Sequence, residues 1–308
     1  MTKTITKKAI LAVALVCGVS MFTACTSVSE DNPVQPQPRE RAVHFEGVDN
    51  GRDMGGLVMQ DGRTVRFDML VRSANLSEAT DADVAILKGR YQLTDVFDFR
   101  FDAEAAAAPD RVIDGVTYSQ LSTMPAVMVQ EIASRSSGSD KIDTRDMGTL
   151  LMKYVFNPEV QALAKLLYPA IVTDPQSQSY YGEFLRGVLK AKGGVLWHCS
   201  HGKDRAGLAA AFLLAALGAD REVIVEDFYL SNESYAAKVE ALSAQVRGKE
   251  GADEAIAVIQ AMVGVSRENF ETTLDLIDQK YGSMSQYIEN QLGFSKEEQQ
   301  QLRQKYLE

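Results

Sequence analysis

Apolar positions follow three regimes along this chain. A short apolar run, Ile10 to Val16, sits behind Lys3, Lys7 and Lys8. Residues 26–41, TSVSEDNPVQPQPRER, carry Pro33, Pro36 and Pro38 and have no apolar period. From Ala42 onward, short apolar runs alternate with longer helical patterns. The runs Leu70–Arg72, Asp95–Phe99, Val116–Leu121 and Gly194–His198 predict strands. Thr80 is placed to cap a helix over DADVAILKGR. Residues 206–217, AGLAAAFLLAAL, are apolar on every face, which predicts a buried helix ended by Gly218. Asp220 is placed to cap the next helix, through REVIVEDFYLSN, and the chain then reads as helical to its end. This alternation predicts an α/β fold with a mainly parallel central sheet flanked by helices. Residues 122–182 break the rhythm. SRSSGSD reads as loop, and NPEVQALAKLLYPAIV puts Val160, Leu163, Leu166, Leu167, Ala170 and Ile171 on one helical face. A helix packed on the sheet accounts for that stripe; a lid facing substrate is the other reading.

The first regime reads as a secretory signal, too short for a permanent membrane span. Ala24 followed by Cys25 resembles the bacterial lipoprotein signal, in which the cysteine is lipidated and becomes the first residue of the mature chain; an ordinary cleaved leader is the alternative. The expected organisation is a signal over 1–24, a disordered tether over 25–41 and one domain over 42–308, with 122–182 a variable helical insertion. The expected location is outside the cytoplasm, anchored through a lipid on Cys25 and facing periplasm or cell exterior. Removing residues 1–24 leaves 29 cations against 42 acids, a net charge of −13. Such a chain is not expected to coat nucleic acid or an anionic bilayer, so any positive charge for an anionic substrate must be local.

Cysteine usage sharpens the picture. Cys17 leaves with the signal and Cys25 takes the lipid, so Cys199 is the lone thiol of the domain. It is either an inert core residue or a nucleophile, and its neighbours decide. HCSHGKDRAG, His198 to Gly207, runs from a predicted strand through a glycine-bearing loop into a predicted helix. That geometry turns backbone N–H groups into one concavity, which favours a phosphate or a thiolate. The planar fork of Arg205 can grip two phosphate oxygens at once. Loop amides and guanidinium then face the equatorial oxygens of an in-line phosphoryl transfer, with no metal or cofactor required.

Cysteine, five residues and arginine behind a histidine resembles the signature of the cysteine-dependent tyrosine phosphatases. The Gly-Lys-Asp-Arg form resembles a bacterial branch of secreted tyrosine and dual-specificity phosphatases that also act on phosphoinositides. NGRDMGG (Asn50–Gly56), VRSANLS (Val71–Ser77), TDVFDFR with Glu104, DREVIVEDFYLSN and IDQKYGSMSQYI are similar, in order, to further segments of that branch. The resemblance implies Cys199 as nucleophile and Arg205 as the phosphate-binding arginine. It implies Ser200, His201, Gly202, Lys203 and Ala206 as the phosphate cradle, with His198 holding the loop. Lys203 adds a cation, and His201 a second at mild acidity. Phosphotyrosine proteins and phosphoinositides are the implied substrates.

A general acid is not marked. STMPAV after the strand ending at Leu121 offers none, so Asp204 is favoured, with Asp98, Asp143 and Asp146 as alternatives. Asp98 and Arg100 also suit a structural ion pair below the loop, Arg52 and Asp53 a turn, and Trp197 the core. Two other functions use a cysteine in an anion-cradling loop: a sulfurtransferase or arsenate reductase, and an inactive phosphate-binding module.

Overall fold

The computed structural model describes residues 39–130, 152 and 155–308. The expected signal, Cys25, most of the expected tether, Asp143 and Asp146 lie outside those residues.

Five strands form the sheet: β1 (Arg52–Asp53), β2 (Leu70–Ser73), β3 (Leu93–Asp98), β4 (Thr117–Gln120) and β5 (Gly194–His198). Their spatial order is β1-β2-β5-β3-β4, parallel throughout except for the antiparallel β1–β2 pair. The predicted Asp95–Phe99 strand starts two residues earlier, at Leu93. The predicted Val116–Leu121 shrinks to a half-exposed edge strand, because only one neighbour pairs it. The register sets Ser73 and Asp98 on either side of His198. Three strand ends therefore meet where the His198–Arg205 loop begins.

Both sheet faces are covered, as the strand sequences require. Leu70, Phe97, Val195 and Trp197 turn to one apolar cluster. Val71, Val96 and Leu196, their alternate neighbours, turn to another. Helix α1 (Asp81–Gly89) covers the second face with Leu87. Its predicted cap is present: Thr80 Oγ1 accepts from Asp83 N–H, and Asp83 Oδ2 accepts from Thr80 N–H. Between β3 and β4 lies the short α2 (Asp102–Ala107). The first face is covered by α4 (Pro175–Lys190), with Phe184, Leu185 and Val188, and by α5 (Arg205–Leu217). Burial of each such side chain contributes about 1.5–3 kcal/mol. All but one residue of α5 are buried, and Gly218 ends it at φ +99°, in the left-handed region that glycine tolerates.

Helices α6 (Arg221–Tyr229), α7 (Ser231–Val246), α8 (Ala252–Val263), α9 (Arg267–Tyr281), α10 (Met284–Asn290) and α11 (Lys296–Tyr306) complete the chain. Asp220 precedes α6 as expected but makes no side-chain cap. Its carboxylate instead accepts from Gln60 Nε2 at 2.8 Å.

Two expectations are corrected. The helix of the insertion, α3 (Pro158–Thr173), packs against α4, α8 and α9 rather than lying on the sheet. Among its described side chains, Ile171 of the predicted stripe is buried and Leu167 packs on the core, together with Tyr168 and Val172, whereas Leu166 is 57% exposed; the side chains of Val160 and Leu163 lie outside the described ones. α4, whose first residues fall in the expected 122–182 insertion, packs in the sheet's core. The tether also ends sooner than residue 41. Arg39 pairs with Asp68, Arg41 with Asp227, and Ala42 bridges Arg52.

Candidate active site

The loop from Cys199 to Asp204 sits between β5 and α5. Its carbonyls are turned outward by side chains from elsewhere in the chain. Ser200 O accepts from Asn75 Nδ2 at 2.8 Å. His201 O accepts from Tyr235 Oη at 2.7 Å and Asn50 Nδ2 at 3.2 Å. Gly202 O and Lys203 O both accept from Arg72 Nη2, at 2.9 and 3.2 Å. With four consecutive carbonyls held on the outside, the loop's N–H groups are left to the concave side. Gly202 makes the turn at φ +65°; a Cβ there would stand 2.1 Å from Ser73 O. Both facts require glycine.

Cys199 is a free thiol, 1% exposed, at the base of this loop. Arg205 and Arg72 lie within electrostatic reach of it. Burial and Arg52 pull Arg72 below its ordinary range, and Asp227 opposes them.

Arg205 opens α5 and is almost fully buried. Its Nη1 and Nη2 donate to Glu104 Oε2 and Oε1 at 2.6 and 2.8 Å. Glu104 Oε1 also accepts from Ser200 Oγ at 2.8 Å, and Arg205 Nη1 reaches Phe99 O at 3.3 Å. Burial works against both charges. Glu104 more than offsets it for Arg205, whose guanidinium is raised, and Arg205 does the same for Glu104, whose carboxyl is lowered. Glu104 thus takes the Nη1–Nη2 edge of the fork; Nη2 also donates to Ser200 Oγ at 3.3 Å, so on the Nε–Nη2 edge a ligand oxygen would meet Nε and compete with Ser200 for Nη2.

Below the loop, His198 is fully buried. Its Nδ1 lies 3.3 Å from Cys199 O, and its Nε2 lies 3.0 Å from Asp110 Oδ2. Burial pulls this imidazole down, but Asp98 and Asp110 carry it above its ordinary value. Asp98 grips Arg100 with both oxygens, and Arg100 also pairs with Asp110 at 3.0 Å and donates to Ala108 O at 2.7 Å. Asp98, Asp110 and His198 form the one cluster among the described residues with metal-ligand character. Arg100 already supplies its cation. Asp98 is therefore part of a structural network, and the loop's support includes Asp110, which the sequence did not single out.

Asp204 accepts from Tyr168 Oη at 2.7 Å, and both its oxygens meet Lys203 Nζ, at 3.0 and 2.8 Å. The Lys203 ammonium is itself buried. His201 does not add charge at mild acidity: burial and Lys203 push its imidazole down to about 4.

Glu104, Asn75, Asp110, Tyr168, Asp227 and Tyr235 all bear on the loop and were given no role from the sequence. Glu104 and Asp227 lie inside segments that carried the resemblance. Tyr168 lies within the helical pattern of 157–172 but outside the apolar stripe read there, so no signal in the sequence marks it.

The sequence is similar to known proteins. The model of the tyrosine phosphatase family matches residues 43–308. The chain is 30% identical to a putative tyrosine-protein phosphatase of Cupriavidus necator, over 80% of this chain and 83% of that protein. It is 28% identical to the triple specificity protein phosphatase PtpB of Mycobacterium tuberculosis, over 79% of this chain and 91% of that protein. Similarity to a tyrosine-protein phosphatase of Nostoc commune is 29% identity, over 73% and 72%. Members of the matched family hydrolyse phosphomonoesters. With a match across the sheet, the loop and the helices α1 to α11, the chain belongs to the tyrosine phosphatase family.

Proposed function

We propose that this phosphatase cleaves phosphotyrosine in proteins and phosphomonoesters of phosphoinositides, using Cys199 as nucleophile. The observation that carries the reading is the loop itself: four outward carbonyls, a thiol at the base and a buried guanidinium aimed by Glu104, whose second edge is held only by the Ser200 hydroxyl at 3.3 Å. The Cys199 thiolate attacks phosphorus, the bond to the leaving oxygen breaks, and a phosphocysteine forms. Loop amides and the Nε–Nη2 edge of Arg205 stabilise the charge spread over the equatorial oxygens. Water then attacks phosphorus, releasing phosphate and the thiolate.

Proton donation to the leaving oxygen is assigned to Asp204, which then accepts the proton of the attacking water. In the resting site Lys203 engages both oxygens of Asp204. An incoming phosphoryl group competes for that ammonium and frees Oδ2, while Tyr168 keeps Oδ1 in place. Asp204→Asn is expected to slow alkyl phosphates about 10²-fold and aryl phosphates less, since general acid catalysis is worth roughly 10²–10⁴-fold and a phenolate leaves readily. Equal losses on both would make Asp204 a brace for the loop instead.

The same proposal places the enzyme outside the cytoplasm, tethered through a lipid on Cys25. Support comes from the order of lysines, apolar run, Ala24 and Cys25. The test of the function is hydrolysis of p-nitrophenyl phosphate, phosphotyrosine peptides and phosphoinositides by the wild type and Cys199→Ser. Activity on these substrates that vanishes in the variant is expected. Thiocyanate from thiosulfate and cyanide would favour sulfur transfer, and inactivity of both proteins would leave a phosphate-binding module.

A further inference from the structure

Arg41 lies two residues before the region matched by the family, in a stretch whose sequence reads as tether. Its side chain turns into the protein. Nε donates to Asp53 O at 3.0 Å, and Nη2 pairs with Asp227 Oδ1. The Asp227 side chain is 1% exposed and carries two further guanidiniums. Arg52 Nε is 3.3 Å from Oδ1, and Arg72 Nη1 is 2.9 Å from Oδ2. Three cations on one carboxylate leave a local charge of +2 underneath an anion-binding loop.

Both partners of Arg41 on Asp227 continue to that loop. Arg72 donates through Nη2 to the carbonyls of Gly202 and Lys203. Arg52 donates through Nη1 to Asn50 Oδ1, and Asn50 Nδ2 donates to His201 O. Three of the four outward carbonyls are thus reached from one carboxylate. Asp227 is a single planar group with two oxygens. Where Arg41 pins Oδ1, the directions left to Arg52 and Arg72 are set. Take Arg41 away and the carboxylate can turn toward either remaining fork, pulling it from its carbonyl.

We propose that Arg41 is a positioning residue of the phosphate site, acting through Asp227 on Arg72 and Arg52 and through them on the loop carbonyls. The proposal rests on the reading that this loop binds a phosphoryl group. It makes the segment joining the fold to residues 1–38 a part of the site's support. Arg41 touches no substrate; its effect is on how well the loop is shaped and how positive its floor is. The bland alternative is a staple that only fastens the start of the domain. Arg39 provides the comparison, since it pairs with Asp68 at 2.5 Å, half exposed, and bonds neither Asp227 nor any side chain that holds a loop carbonyl.

The experiment uses the full chain with Arg41→Gln, Arg41→Lys and Arg39→Gln. It measures the Kd for orthophosphate by calorimetry, KM and kcat on p-nitrophenyl phosphate, and Tm. Expected for Arg41→Gln is an orthophosphate Kd about tenfold weaker, KM raised in step and kcat less affected; a tenfold change is ~1.4 kcal/mol of binding free energy. Arg41→Lys keeps the charge without the fork and recovers part of the loss, near threefold weaker than wild type. Arg39→Gln binds as wild type. A lower Tm in Arg41→Gln with Kd and KM unchanged would overturn the proposal, as would an equal loss in Arg39→Gln. Should Arg41→Gln not fold, a wild-type Kd in Arg41→Lys with a lowered Tm would overturn it just as well. A wild type that binds orthophosphate yet hydrolyses nothing would sink the phosphatase reading and leave this test standing.

Discussion

At the scale of single residues, the pair formed by Arg205 and Glu104 decides whether the fork is aimed. An arginine side chain has many rotamers, and a bidentate carboxylate selects one. Glu104→Gln keeps the shape and removes the charge that balances a buried guanidinium. Breaking a buried pair from one side costs about 3–5 kcal/mol, part of which shows in catalysis. The expected result is a fall in kcat/KM on p-nitrophenyl phosphate of about 10²-fold, larger than the fall in Tm alone would explain. Near wild-type kcat/KM would mean that Arg205 is aimed by the loop without help. Cys199 and Arg205 were legible in the sequence because nucleophile and cation sit in one ten-residue stretch. Glu104 was quoted only as part of a pattern, since its partner lies 101 residues away and no local rule joins them. His201 misled for a related reason: its neutral state follows from burial against α7 and α8 and from Lys203, which a string of letters does not display.

At the scale of elements, a strand and a helix are joined by a loop that only glycine can turn. Gly202→Ala adds a methyl at φ +65° against Ser73 O. Backbone strain of this kind costs of order 1–3 kcal/mol before the clash is counted. The expected outcome is a lower Tm by denaturation and loss of most orthophosphate affinity, since the amides can no longer converge. Retained affinity would contradict the geometry described for the loop. The elements themselves were largely readable. β5 and α5 match expectation to within a residue, because an apolar strand, a glycine turn and an all-apolar helix leave few alternatives. Less readable was α3. The sequence's apolar stripe runs through Leu166 and omits Tyr168, whereas the tyrosine's ring is buried edge-on against Phe228 and its hydroxyl reaches Asp204. A residue that is apolar along its body and polar at its tip is placed by what lies at both ends.

At the scale of the whole molecule, a domain with a large excess of acids concentrates arginines beneath one loop. Arg52, Arg72 and Arg100 are all buried there and paired with buried carboxylates. This layer makes stability depend on pH in two directions. Asp110 and Glu104 have burial working against them, but His198 and Arg205 hold them below the usual carboxylate range. Their contribution is complete above about pH 5.5, where the unfolded groups are already ionised, and is lost as pH falls through their folded values. His198 is held above its ordinary value by Asp98 and Asp110 against burial. Its contribution is complete below about pH 6.5 and is lost as pH rises through the folded value. Tm should therefore fall between pH 6 and pH 8, and His198→Asn should flatten that slope while lowering Tm throughout. An unchanged slope in the variant would mean that His198 is neutral in the native protein. None of this layer could be read from composition, because net charge records the excess of acids and not where the cations gather.

Catalysis by this site depends most on sulfur becoming phosphorylated. Rapid mixing of wild type with excess p-nitrophenyl phosphate, quenched in acid and digested, tests it directly. The expected result is a burst of nitrophenol approaching one per chain, with phosphate recovered on the peptide that contains Cys199. Hydrolysis at full rate with no burst and no phosphate on that peptide, or hydrolysis that survives Cys199→Ser, would contradict it.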